Sequence, residues 1–173
     1  LRSVIFSLSH VHEDGPPSLF GQRKVVIQVE HTSPSVFSSD FDFTRIHFLA
    51  AWKFPTFYSR RLIPNVLDLR IIASASRGHL PRQRFSILDI SLDGWNNPGA
   101  LRSLVTHPYE GEKALGFTWE HHFRTLPFEW LGWDGLVRRS IGVTLYGGHG
   151  RTWISDTRLA QLPDTPQYQD QFH

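Results

Sequence analysis

His10 and His12 stand two residues apart with Glu13 next to them, and two imidazoles with a carboxylate are a donor set that suits zinc. In an extended strand, residues two apart project from one face, so this pair has the spacing of a chelate. No third ligand follows at a fixed spacing. His121 and His122 are adjacent and would point to opposite faces of a strand, so they cannot chelate together. Histidines at surface positions are common, and neither a metal centre nor any other cofactor is expected.

The run Gly147-Gly148-His149-Gly150-Arg151 has the glycines of a phosphate loop but lacks the Lys-Ser/Thr pair, and no helical pattern follows it. A tight turn at a strand end is the expectation. No Gly-x-Ser-x-Gly elbow presents a serine nucleophile. Glu110 and Glu112 lie two apart in an expected loop; a carboxylate pair does acid-base work only at a defined separation, so a solvated acidic loop is expected there. Nothing in these groups points to an enzyme.

The elements that carry these residues read as strands. Across 173 residues, 18 basic and 16 acidic side chains leave a formal charge of +2, too small and too evenly spread for a nucleic-acid surface. There is no cysteine for a disulfide or a thiolate site. No run approaches the roughly 18 to 20 apolar residues of a membrane-spanning helix, and Leu1-Arg2-Ser3-Val4 lacks a charged-then-apolar leader pattern. Any crossing of a membrane would therefore be made by strands. Methionine is absent altogether, which is compatible with a processed chain, a domain or a fragment.

A period of two recurs along the chain. In Arg23 to His31, Val25, Ile27 and Val29 alternate with Lys24, Val26, Gln28 and Glu30. From Leu67 to Ala75, Leu67, Leu69, Ile71 and Ala73 alternate with Asp68, Arg70, Ile72 and Ser74. From Leu115 to Phe123, Leu115, Phe117, Trp119, His121 and Phe123 alternate with Gly116, Thr118, Glu120 and His122. Further strands are expected at Ser3 to Glu13, Asp42 to Phe54, Arg84 to Asp93 and Arg139 to Gly148, about seven in all. Turn chemistry separates them at Asp14-Gly15-Pro16-Pro17, Thr32 to Ser35, Arg61 to Asn65, Arg77 to Pro81 and Trp95 to Gly99. The stretch Leu126 to Val137 reads as a short amphipathic helix or a packed loop, and as an interfacial connection over about 125–137.

The expected fold class is all-β: an antiparallel meander that forms part of a transmembrane β-barrel, one partial barrel domain over 1–173. Several strands reach the roughly 9 to 11 residues of a tilted membrane strand, against roughly five or six in soluble sheets. Trp52, Phe54, Phe57 and Tyr58 gather at one strand end and Phe123, Phe128, Trp130 and Trp133 at another, resembling the aromatic girdles of outer-membrane barrels. The same pattern fits a soluble sandwich, or a soluble barrel with an apolar ligand, whose aromatics fill a core.

Gly78-His79-Leu80-Pro81-Arg82-Gln83-Arg84-Phe85, then His107-Pro108-Tyr109-Glu110-Gly111-Glu112, then the strand Leu115 to Arg124, resembles in order the C-terminal barrel of the bacterial surface-antigen superfamily. Glu30-His31-Thr32-Ser33-Pro34 with Ser39 to Phe43, and the run from Glu120 to Trp153, resemble related outer-membrane proteins. The resemblance implies a long extracellular loop, about 94–112 here, that folds back into the barrel with Tyr109, Glu110 and Gly111 at its tip. The family's tip carries an arginine beside the glycine, and Glu110 reverses that charge, so the family's ion pair is not carried over.

What the resemblance implies is a non-enzymatic role in the bacterial outer membrane: envelope biogenesis by inserting or translocating polypeptides, with outer-membrane lipid and substrate proteins as partners. A passive anchor for a separate domain is the other reading. Lys24, Gln28, Glu30, Asp68, Arg70, Glu120 and His122, with Thr118, would face the lumen. Closed bacterial barrels have an even strand number, so seven strands and the polar, proline-broken segment Pro163 to Gln171 imply that more strands precede and follow, or that a partner chain completes the wall.

Overall fold

The computed structural model describes residues 2–12, 22–37, 40–57, 64–88 and 109–161. The long strands are β1 (Val4–His12), β2 (Gln22–Thr32), β3 (Phe43–Thr56), β4 (Asn65–Gly78), β7 (Lys113–Arg124) and β8 (Val143–Trp153). Two short strands, β5 (Ser86–Leu88) and β6 (Tyr109–Gly111), form a separate ladder between β4 and β7. The six long strands make one antiparallel sheet in the order β1-β2-β3-β4-β7-β8, so the fold is all-β and the connectivity a meander with one excursion. The sheet is open, with β1 and β8 as its edges.

The expected strand over Arg84 to Asp93 is corrected in its described part: Arg82–Arg84 is a 3-10 turn, and Ser86–Leu88 pairs with β6 rather than with the large sheet. Gly78 makes the chain leave β4: its φ is +96°, and a Cβ there would lie 2.3 Å from the Asp42 carbonyl oxygen. The His79 N–H donates to that same oxygen at 2.7 Å. Pro81 then lacks the N–H that would continue a ladder. Among the described residues six strands are long and two are short, and the six-stranded sheet has two edges. Residues 89–93, and the turns at 14–17 and 95–99, lie outside the described residues.

The glycine run is corrected as well. Gly147 to Arg151 lies inside β8, paired throughout with β7, and is no turn. Gly147 faces Trp119 in register, and a Cβ on it would stand 2.8 Å from the indole ring. Glycine is thus required by an aromatic ring lying across the strand. Leu126 to Val137 folds as two short helices, α2 (Leu126–Trp130) and α3 (Asp134–Arg138), rather than one. Gly132, with φ +71°, separates them. Two more short helices, α1 (Pro34–Phe37) and α4 (Asp156–Leu159), lie at the opposite end of the sheet.

Because antiparallel partners share a face, the register sorts every side chain. One face carries the rows Phe6-Val29-Ile46-Ala75, Leu8-Ile27-Phe48-Ala73-Leu115, Val25-Ala50-Ile71-Phe117, Trp52-Leu69-Trp119 and Phe54-Leu67-His121-Leu145. Phe6 is 68% exposed and Leu8 61%. From Ile46 to Phe54, eight residue steps of about 3.4 Å against the three interstrand spacings from β2 to β7, of about 4.8 Å each, give a mainly apolar area on the order of 400 Å², bordered by His10, His12, His149 and Arg151 on the edge strands. That lies within the roughly 300–600 Å² of the largest patch on a typical monomer, a size that is often functional. Apart from strand pairing, the main contacts with the sheet come from β5 and β6 at β7 and β8, and from α2 at β7.

The other face is polar and is covered at one end. There Phe43, Leu80 and Phe85 form a small core with Phe41 and Ile154 against them. Thr32 beside Phe43 donates its hydroxyl to the Arg2 carbonyl at 2.6 Å.

Replacing Gly147 with valine should lower stability by about 1–3 kcal/mol, the usual range for forcing volume into a packed contact. Gly135→Ala, with nothing within 4 Å of the added methyl, should be close to neutral. The check is the urea unfolding midpoint, and equal midpoints for the two variants would remove Trp119 from its place over β8.

Candidate functional site on the polar face

All seven polar residues singled out in the sequence, Lys24, Gln28, Glu30, Asp68, Arg70, Glu120 and His122, fall on one face by register. Their rows run Glu30-Arg45-Ser76, Gln28-His47-Ser74-Ala114-Thr152, Lys24-Ala51-Arg70-Thr118 and Gln22-Lys53-Asp68-Glu120-Tyr146, with His122 beyond. Strand alternation places each of them there, since the ladder leaves no bulge between β1 and β4. The shift between His122 and Arg124 in the β7–β8 pairing falls beyond the last of these rows.

Glu30 is buried and is the pivot at the covered end. Its carboxylate lies 3.3 Å from Arg84 and accepts a hydrogen bond from the Ser3 hydroxyl at 2.8 Å, with Arg45 beside it in the next strand. Lower on the face, Lys53 approaches Asp68 at 3.8 Å, and the His122 ring lies 3.6 Å from Glu120. The Arg45 Nε, His47 Nδ1 and Arg70 Nε are buried without a hydrogen-bond partner among the described residues.

The excursion between β4 and β7 returns as a strap across this face. The Ser74 hydroxyl donates to Ser86 at 2.5 Å, which seats β5 on the buried row Ser74, Ala114 and Thr152. Gly111 ends β6 against β8, where a Cβ would stand 2.9 Å from both the Thr152 Cβ and the Trp153 carbonyl oxygen. Tyr109 and Glu110 therefore belong to a paired strand, and both are half-buried.

Glu110 and Glu112 do not form the solvated loop that their spacing suggested. Glu110 pairs with Arg82 at 3.7 Å, and Glu112 pairs with Arg158 at 3.8 Å and accepts the Ser155 N–H at 2.9 Å. The Ser76 hydroxyl donates to the Glu112 carbonyl at 2.8 Å. Arg158, from α4, also donates to the Leu80 carbonyl and lies over the Phe85 ring. Partly buried charge-assisted contacts on three separate segments hold the strap. Residues 94–108 of the expected inward loop lie outside the described residues.

Arg82, Arg84, Ser86 and Arg158 are the residues that sequence reasoning missed. They sit in or beside irregular backbone, where no periodicity marks a face; the closely spaced Arg82 and Arg84 after Pro81 were the one available signal. At the far end, His121 belongs to an aromatic cluster. Its Nε2 hydrogen-bonds the Thr56 hydroxyl at 2.9 Å, and its ring stacks on Phe57 and packs against Phe123, with Trp130 of α2 edge-on to Phe57. His10 and His12 share the apolar face opposite Val25 and Arg23, while Glu13 lies outside the described residues. Among the described residues, no group of three histidine or carboxylate side chains is placed to hold a metal ion.

Comparison of the chain with protein-family models, with curated proteins and with solved structures finds no match. Among the described residues, no element covers the centre of the apolar face, and the polar face is strapped at one end.

If Arg84 and Glu30 hold the strap, Arg84→Ala and Glu30→Gln should be non-additive, with a coupling of about 1 kcal/mol in a double-mutant cycle. Arg84→Ala should also speed proteolysis within the strap around Arg82 and Arg84. Additive effects with unchanged cleavage would make the pair incidental.

Proposed function

We propose that this chain is an arc of a transmembrane β-barrel of the bacterial outer membrane, with its apolar face toward lipid and its polar face toward the lumen. The observation that carries this reading is the register, which gathers mainly apolar side chains at the centre of one face, bordered by Arg23, Lys113 and Arg151, and most of the charged ones on the other, where Val26, Leu49 and Ile72 form one apolar row. The strands have 9 to 14 residues, enough to cross a bilayer at the usual tilt. From Ile46 to Phe54 the apolar face is about 27 Å along the strand, or about 21 Å when tilted by roughly 40°, close to the roughly 25 Å band of such barrels. Phe57, Trp130, Leu131 and Trp133 are exposed at one end, at the depth where amphipathic rings favour headgroups. The six long strands among the described residues are fewer than the roughly eight of the smallest barrels, so on this reading they form an arc of the wall.

Within that class, the reading is a surface-antigen-type barrel acting in envelope biogenesis, inserting or translocating polypeptides without covalent chemistry. Its support is the order of motifs, together with the residues on either side of 89–108: Arg82, Arg84 and Ser86, and Glu110 and Glu112, are held on the polar face by ion pairs and a hydrogen bond. A weak lateral seam and a locally thinned bilayer would lower the barrier for a substrate strand to enter. The ion pairs of the strap also favour a second reading, a plugged barrel serving as a passive anchor.

Ile71 and Ile72 separate the membrane reading from a soluble one, because they are neighbours on opposite faces. Refolded into lipid vesicles, Ile71→Arg should insert at least tenfold less than the wild type, given the roughly 2–4 kcal/mol of a cation at the bilayer midplane, and Ile72→Arg should insert nearly normally. Equal insertion of the two, or a wild-type protein that stays monomeric and soluble without detergent, would overturn the barrel. For the activity, removal of the protein from its cell should lower the levels of other outer-membrane proteins; unchanged levels would leave the passive anchor.

A further inference from the structure

We infer that the uncovered half of the polar face holds a binding site for a phosphate monoester, in which Lys24, Lys53 and Arg70 converge on one dianion. The strap and the Phe43 core cover the rows from Thr32 to Ser74, and past them the face opens into a cleft of about 250 Å³ bordered by Gln22, Lys24, Ala51, Lys53, Asp68 and Arg70. Its floor is a methyl group: Ala51 lies between Lys24 and Arg70 in one row. Two interstrand spacings separate those side chains, about 10 Å, so both can lean inward over the alanine and share an anion. Lys53 stands one row along on the same face, at the diagonal distance long side chains span.

Cations outnumber carboxylates at the cleft: Lys24, Lys53 and Arg70 border it against Asp68, whose approach to Lys53 is a loose 3.8 Å, with Glu120 beside Asp68 in the next strand. Arg23 also borders the cleft, but strand alternation sends its side chain to the other face. The Arg70 Nε is buried with no acceptor among the described residues, and a buried guanidinium N–H without an acceptor is costly. Three cations, one planar fork and two ammonium groups arriving from different directions, match the several tetrahedral oxygens of a phosphate monoester better than a planar carboxylate. The volume lies below the roughly 300–1,000 Å³ of a drug-sized pocket, so the group attached to phosphorus is small or extends outward. The dianion can come from a soluble phosphate ester or from the headgroup of a phosphomonoester lipid. The site needs only the geometry of this face, whichever environment the apolar face occupies.

The test titrates the full folded chain with inorganic phosphate by phosphorus NMR, then with detergent micelles containing phosphatidic acid. Saturable binding at one site per chain is expected, weakened at least tenfold by Arg70→Gln. Ala51→Leu should weaken it similarly while every charge stays in place, which keeps the test decisive if the arginine variant misfolds. Lys113→Gln, an exposed cation outside the cleft, should bind as the wild type does. Tighter binding to the micelles than to free phosphate would assign the lipid source, and the reverse the soluble one. Lack of saturable binding to either probe, or an equal loss from Lys113→Gln, would overturn the site.

Discussion

In-register pairing of six strands is the constraint on which the rest of this molecule depends. Each long strand has a side-chain period of two, and the ladder keeps that period in phase from β1 to β8 up to the shift between His122 and Arg124 at one end of the β7–β8 pair. A slip of one residue in any strand would put Lys24 or Arg70 among Val25, Phe117 and Trp119, and leucines among carboxylates. Two chemically opposed faces on a single layer result, and such a layer requires different surroundings on its two sides.

The polar face meets part of that requirement from within the chain. At one end, Gly78 redirects the backbone, and the strap comes back over the sheet to pair arginines with glutamates from three segments. Burial is tolerable there because the charges arrive with partners: Glu30 has Arg84 and Ser3, and Glu112 has Arg158 and a backbone N–H. The other end of the face is open and positively charged. The two halves differ in what covers them more than in composition.

The apolar face is organised by aromatic packing at its margins. Trp119 lies across Gly147, and His121, Phe57, Phe123 and Trp130 close together at the end from which α2 leaves β7. Both arrangements exchange backbone variety for ring contact: a glycine where an indole must lie flat, and a left-handed Phe57 and Arg124 where the chain turns under the cluster. Among the described residues the centre of the face has no such cover.

Alternation is a local property, so the sequence alone determined the long strands, the two faces and the membership of Lys24, Gln28, Glu30, Asp68, Arg70, Glu120 and His122 on one of them. It misread Gly147 to Arg151 as a turn, because the reason for those glycines is an indole from another strand. It read Ser86 to Leu88 as part of a wall strand, because a few alternating residues look alike whether they join a large sheet or a small ladder above it. Glu110 and Glu112 looked solvated for the same reason: Arg82 and Arg158 reach them only where the chain returns. Which strands are neighbours, which charges meet and which part of the polar face stays open were decided by the tertiary structure alone, since contact between distant segments depends on the path of the backbone, and local pattern does not encode that path.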